Sequence, residues 1–465
     1  MLGELRPHSV YKDSGVPWLG EVPKHWDLRR TKTVLCERVQ KGYPDEPLLA
    51  ATQTKGVVRK EQYENRTVLA LKDLHLLKLV QVGDFVISLR SFQGGIEYAR
   101  EQGIISPAYT ILYPNQPDTQ SYLAWLFKSQ PYIENLSLYV TGIRQGQNID
   151  YEKLSRSELP LPPSREQAAI ARFLDHADRR IRRYIRTKQK LIKLLEELKQ
   201  AIIHLAVTRG LDPNVRLKPS GVEWLGNVPE HWEAKRCRYL FREVDRRSDD
   251  GSEEHLSMSQ RLGLVPSQLV ENRTLVSENY AGGKLCEPGD LVLNRLKAHL
   301  GVFALARFSG VISPDYTVLR PINPESAEYF EPVLRSPACR RELRIRAKGI
   351  VEGFWRLYTD DLYDIRLPVP PLSERRAIIE HIRSVMSEIN RITSEAEHEI
   401  SLLREYRTRL IADVVTGKVD VREAAARLPD EVEKPKPPDE ADVLPDTDEL
   451  AENGAITTGP GEAKQ

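Results

Sequence analysis

Cysteine is scarce in this chain. The four present, Cys36, Cys237, Cys286 and Cys339, stand far apart with no C-x-x-C pair. That pattern argues against a disulfide framework and against a zinc site of familiar spacing, and fits small core residues in a reducing compartment. No apolar run approaches the roughly 20 residues that span a bilayer. Arg6, Pro7 and His8 stand where a secretion signal would need its apolar centre, so the expectation is a cytoplasmic chain without membrane contact. Catalytic signatures are missing as well. Gly282-Gly283-Lys284 lacks the upstream glycine and the following hydroxyl of a phosphate-binding loop. No G-x-G-x-x-G, H-E-x-x-H, G-x-S-x-G or metal-ligand cluster occurs, nor an N-P-P-aromatic or D-P-P-aromatic motif of an amino-methyltransferase. The chain reads as a non-enzyme that binds no metal or cofactor itself.

Net charge is also nearly absent, at +1, but it is unevenly spread. From Val421 to Gln465 there are 5 basic and 12 acidic residues, which leaves about +8 on Met1 to Asp420. This tail is rich in proline, glutamate and aspartate, and its composition predicts disorder over 421–465. A basic body permits a polyanionic partner without identifying one.

What is present is a repeat. Ser14-Gly15-Val16-Pro17-Trp18-Leu19-Gly20 and Val22-Pro23-Lys24-His25-Trp26 recur 206 residues later, as Ser220-Gly221-Val222-Glu223-Trp224-Leu225-Gly226 and Val228-Pro229-Glu230-His231-Trp232. Glu64-Asn65-Arg66-Thr67 then matches Glu271-Asn272-Arg273-Thr274, and Gly83-Asp84 matches Gly289-Asp290. Ile105-Ser106-Pro107 matches Ile312-Ser313-Pro314, and Leu159-Pro160-Leu161-Pro162-Pro163 matches Leu367-Pro368-Val369-Pro370-Pro371. Two long copies fill the chain. The tryptophans and histidines of the duplicated motif invite a base-stacking reading, but indoles beside V-P-x-H-W suit docking of each module onto a helix end better.

After each Pro-Pro the apolar residues step alternately by four and three. In the first copy they include Ile170, Leu174, Ile181, Leu191, Leu195 and Leu198, and in the second Ile378, Ile382, Ile389, Leu403 and Leu410. A 3.5-residue period predicts a helix with one narrow seam against a partner helix, most simply the other copy's. About 43 residues make a rod of roughly 60 Å, ending at Gly210 and Gly417. Short β-branched runs precede each rod. The expected fold class is α+β: two globular heads related by approximate twofold symmetry and separated by a pair of long antiparallel coiled-coil helices. The expected divisions are 1–163, 164–210, 211–371, 372–420 and the tail.

The order of strand-rich module, L-P-x-P-P, then Glu166-Gln167-Ala168-Ala169-Ile170-Ala171-Arg172-Phe173-Leu174-Asp175 opening a heptad helix, all repeated, resembles the specificity subunit of type I restriction–modification enzymes. The second copy keeps Glu374 but has Arg375 in place of the glutamine and Glu380-His381-Ile382-Arg383 in place of A-R-F-L. The resemblance covers roughly residues 11 to 420. It implies that the heads are target recognition domains for a split, asymmetric sequence in double-stranded DNA. It implies too that the helices space the heads and bind two methyltransferase subunits, that motor-nuclease subunits join the complex, and that S-adenosylmethionine, ATP and Mg2+ belong to those partners. Glu166, Gln167 and Glu374 would then join the apolar residues above in pairing and docking.

Three loops per head are candidate DNA readers. The first contains Ser88, Arg90, Ser91 and Gln93, aligned with Asn294, Arg295, Lys297 and His299. Arg90 or Arg295 could pair with guanine in the major groove, and Gln93 with adenine. An ordinary solvated turn is the competing reading. The second holds Arg144, Gln145, Gln147 and Asn148, opposite a stretch ending at Arg356. Its glycines permit close approach to phosphates or base edges, and a bland connection remains open. Ser106-Pro107-Ala108-Tyr109 and Ser313-Pro314-Asp315-Tyr316 form the third. Arg179, Arg180, Arg182, Arg183, Arg186, Lys188, Lys190 and Lys193 on the first rod suggest phosphate attraction or a solvated face. A catalytic nuclease or methyltransferase and a coiled-coil adaptor are the alternatives.

Overall fold

The computed structural model describes residues 5–53, 55–62, 73–141, 148–259, 262–270, 280–324, 327–349 and 356–429. It divides into two units. The first joins residues up to Ile181 to those from Glu405 onward, and the second runs from Arg182 to Arg404. The cut falls inside the two long helices, Ser164–Arg209 and Leu372–Val415, so each unit contains part of both.

The two heads share one topology. In the first, the hairpin Tyr11–Asp13/Glu21–Pro23 is followed by Asp27–Arg30, which pairs antiparallel with Glu158–Leu161. In the second, Leu217–Pro219/Asn227–Pro229 is followed by Glu233–Arg236, paired with Arg366–Val369. Thus the L-P-x-P run is the last strand of each head. It returns the chain beside the His-Trp motif just before the long helix begins. Proline fits there because Pro160 and Pro368 lie on two-stranded ribbons, where a missing amide donor costs little.

A four-stranded antiparallel sheet forms the middle of each head. Its order is Leu35–Glu37, Thr110–Pro114, Phe85–Ile87, Glu97–Tyr98 in the first, and Phe241–Val244, Tyr316–Pro321, Leu291–Asn294, Phe303–Leu305 in the second. Further hairpins, Leu49–Thr52/Gly56–Arg59 and Leu256–Ser259/Gly263–Pro266, also correspond. Asp84 takes a two-pronged pair from Arg38, and its counterpart Asp290 takes one from Arg320. The same ion pair is therefore supplied from neighbouring strands in the two copies.

Each head clasps the end of the helix that does not belong to it. Tyr122 donates to the carbonyl of Val415 at 3.1 Å, and the matching Tyr329 donates to that of Val207 at 3.0 Å. The second unit's core accordingly mixes Ala206 and Val207 with Trp232, Phe241, Phe330, Ile378 and Ile382. Gly210 and Gly417 end the helices with φ of +77° each, the left-handed geometry that glycine adopts without penalty. A Cβ on Gly417 would lie 2.4 Å from Pro23 Cδ.

Within the second unit the helices run antiparallel: Lys188 pairs with Glu399 at 2.6 Å and Lys199 with Asn390 at 3.4 Å. In the first unit Asp178 pairs with Arg407. The seam departs from the heptad reading. Ile170, Leu174 and Ile181 are buried, but the line then passes through Ile185, leaving Leu195 half-buried and Leu191 and Leu198 exposed. In the second helix Ile378, Ile382, Ile389 and Leu410 are buried and Leu403 is half-buried, with Ile400 buried in addition. The buried rows advance by about 3.6 residues per turn, as a nearly straight helix requires.

A second correction concerns the tail. Val421 and Ala425 are buried, Arg422–Ala426 is helical, and Arg172 donates to the carbonyl of Leu428. The folded part therefore extends to Pro429, and the rest of the tail lies outside the described residues. Among the described residues no helix is long and apolar enough to cross a membrane.

Candidate nucleic-acid interface

In the first head the strand Phe85–Ile87 runs into a tight turn built by two serines. The Ser88 amide donates to Ser91 Oγ at 2.8 Å, and the Arg90 amide donates to Ser88 Oγ at 3.3 Å. Both serines are buried, so they shape the loop and present nothing outward. Arg90 and Gln93 are exposed on that turn. Lys128 fixes the loop from below, donating to the carbonyls of Gln53 and Gly94 and to Glu97. Burial raises the pKa of the nearby Tyr109 hydroxyl, and the Arg90 charge opposes that shift.

The second loop is a hairpin whose base, Val140–Thr141/Asn148–Ile149, packs against the Ser91–Gly94 turn. Asn148 spends its side-chain oxygen on the Ile149 amide. Arg144, Gln145 and Gln147 lie outside the described residues.

The second head arranges the same loops with other side chains. Asn294 caps the turn after its strand, accepting from the amides of Leu296 and Lys297. Arg295 donates to the Asp315 carbonyl at 2.8 Å, and Arg356 donates to the Asp315 carboxylate at 2.8 Å. One residue of the third loop thus ties the first loop to the second. Of the expected base readers, Ser88 and Ser91 are buried with their hydroxyl oxygens accepting from local backbone amides, and the Asn294 side-chain oxygen does the same. Arg295 and Arg356 are engaged with Asp315, and Lys297 is exposed. The His299 side chain lies outside the described residues.

Lys128, Gln53 and Asp315 were the residues that sequence reasoning missed or undervalued. Gln53 sits in the hairpin turn beside Gln93, 3.5 Å from its side-chain oxygen. The contact joins residues 40 apart, and no local pattern signals it.

Glu166, Gln167 and Glu374 face inward at the helix starts. Glu166 accepts from Trp26 Nε1 at 3.0 Å and from His25 Nε2 at 2.7 Å, and Glu374 does the same for Trp232 and His231 at 3.0 and 2.8 Å. Gln167 donates to the carbonyl of Pro162. The duplicated His-Trp motif is therefore a docking joint between head and helix, with a carboxylate at the N-terminal, positive end of the helix dipole. On the outer surface of the first helix, Tyr184, Leu191, Leu198 and Leu205 recur every seven residues, exposed, with Leu194 beside them. Of the basic residues on that helix, Arg180, Arg183, Arg186, Lys190 and Lys193 are exposed, whereas Lys188 is taken up by Glu399.

No family model matches the chain. A protein of Methanocaldococcus jannaschii provisionally named type I restriction enzyme MjaX specificity subunit is 21% identical over 435 residues, 87% of this chain and 96% of the relative. The type I restriction enzyme MjaVIII specificity subunit of the same organism is 21% identical over 374 residues, 74% of this chain and 81% of the relative. Among solved structures, a chain from work on complex assembly and conformational transition of the type I R-M system superposes with a TM-score of 0.62 at 15% identity, covering 85% of this chain and 98% of that one. Along most of its length the chain is similar in sequence to proteins named as specificity subunits of type I restriction enzymes, and in fold to a chain of a type I R-M system.

Proposed function

We propose that this chain is the non-catalytic, sequence-reading subunit of a type I restriction–modification complex. Each head reads one half of a split, asymmetric site in double-stranded DNA. The observation that carries this is the matched pair of loop platforms. Strand exit, hairpin and third loop occupy equivalent places in both heads, yet the first carries Arg90 and Gln93 where the second carries Lys297 and the Asp315-bound Arg295 and Arg356. Equivalent scaffolds with different side chains suit two different half-sites.

The exposed heptad stripe of Tyr184, Leu191, Leu198 and Leu205 supports the docking role. A row of apolar residues at seven-residue spacing on a helix surface fits a further helix, here one from each methyltransferase subunit, with motor-nuclease subunits completing the assembly. S-adenosylmethionine, ATP and Mg2+ would bind those partners.

Replacing residues 80–150 with the equivalent segment of another such subunit tests the reading. Modification-site mapping on genomic DNA should show one half of the recognised site changed and the other kept. A change in both halves, or methylation by the purified chain alone, would refute it.

A further inference from the structure

Three side chains able to ligate a metal, drawn from separate stretches of the first unit, meet beside the start of the first long helix. His25 Nε2 is 2.7 Å from Glu166 Oε2, and His8 Nε2 is 3.7 Å from Glu166 Oε1. The three ligand atoms all lie within 4.8 Å of one another. Nitrogen and oxygen ligands at the usual zinc distances stand about 3.3 Å apart in a tetrahedron, so modest side-chain rotation would close this set on one ion.

His8 is 7% exposed and Glu166 5%, and His8 Nδ1 is buried with no hydrogen-bond partner. Asp420 Oδ2 lies 3.8 Å from that nitrogen. A carboxylate behind the second ring nitrogen is how metal sites orient a histidine ligand. Arg422, held by Asp420, and Lys24 are the cations nearby. A cavity of about 320 Å³, lined by His8, Ser9, Val10, Lys24, His25 and Arg422, gives access from solvent and room for a water ligand.

The second copy acts as an internal control. His231, Trp232 and Glu374 repeat the joint there with nearly the same distances. The position that the repeat assigns to His8, however, is Asn214. Docking of head to helix therefore accounts for His25, Trp26 and Glu166 but leaves the buried His8 unexplained. We propose that His8, His25 and Glu166 bind one divalent transition-metal ion, zinc foremost, with Asp420 positioning His8. Paired imidazoles with a single carboxylate suit zinc better than the oxygen-seeking magnesium or calcium. The ion clasps the segment preceding the first hairpin onto the helix start.

The full-length chain, stripped with a chelator and dialysed against zinc, should hold one zinc per chain by elemental analysis. Cobalt should give the visible bands of a low-symmetry nitrogen and oxygen site. His8→Asn, which copies the second head, should lose that equivalent, and Asp420→Asn should weaken binding roughly tenfold to a hundredfold. His25→Gln, at an exposed position where the amide can still donate to Glu166, is the second variant should His8→Asn fail to fold. Absence of stoichiometric zinc in the wild-type chain, or its retention by a folded variant lacking either histidine, overturns the proposal.

Discussion

Arg90 is exposed at a turn, while Arg295 and Arg356 lean on one aspartate, and this difference gives opposite expectations for single substitutions. Arg90→Ala should weaken binding of the cognate duplex by about 1–3 kcal/mol if the guanidinium meets a base edge. Asp315→Ala removes a negative charge and frees the Arg356 guanidinium, while Arg295 keeps its bond to the backbone carbonyl at 315, so binding to non-cognate duplexes should tighten. Its dependence on salt should steepen by about one phosphate contact. Fluorescence anisotropy titrations across a salt series measure both effects. Binding and salt dependence left unchanged by both variants would show that the loops do not face the duplex. The positions of these loops were legible from glycines and polar clusters. Which polar groups stay available was not, because Arg295 and Arg356 find Asp315 across 20 and 41 residues. The Asn294 cap and the Ser88–Ser91 turn are local, and hydrogen-bonding residues directly before a turn were a signal that could have been read. The His8, His25 and Glu166 group was hidden for the same long-range reason, since His25 and Glu166 are 141 residues apart.

The helices show where a sequence pattern divides into two structural roles. Leucines at 191, 195 and 198 extended the heptad begun at Ile170, and a strict 3.5-residue repeat would have kept them on one seam. The helix turns by 3.6 residues instead, so the seam drifts to Ile185 while Leu191 and Leu198 rotate outward. A pattern read without coordinates cannot separate leucines that pair with the neighbouring helix from those left exposed on its surface. Substituting Leu191 and Leu198 together by glutamate should therefore leave the thermal melt of the isolated chain nearly unchanged, because exposed positions contribute little to folding. Co-purification with the methyltransferase subunit should be lost. A large drop in melting temperature would mean that these leucines pack within the chain. Ile170 and Leu174 serve as the contrast: both are buried, and truncating either to alanine should cost about 2–5 kcal/mol.

At the scale of the whole molecule, the repeat made the two-headed plan legible, since matching motifs fix matching topologies. The crossing of ownership was not legible. Each head holds the end of the other copy's helix through Tyr122 or Tyr329, and the chain's last described segment packs with its first unit. Both helices therefore have each end anchored in a head, and on the proposed reading their shared length sets the gap between half-sites. Deleting Arg186–Ile192 together with Glu395–Ser401 removes both partners of the Lys188–Glu399 pair and seven residues from each helix. Seven residues shorten a helix by about 10 Å and rotate its downstream end by only about 20°, so the remaining seams stay nearly in register. About 10 Å along B-form DNA is roughly three base pairs. Duplexes selected from a random pool should then carry both original half-sites with a gap shorter by about that number. An unchanged gap would mean that the helices do not measure it, and altered half-sites would mean that the heads do not read independently of their mounting.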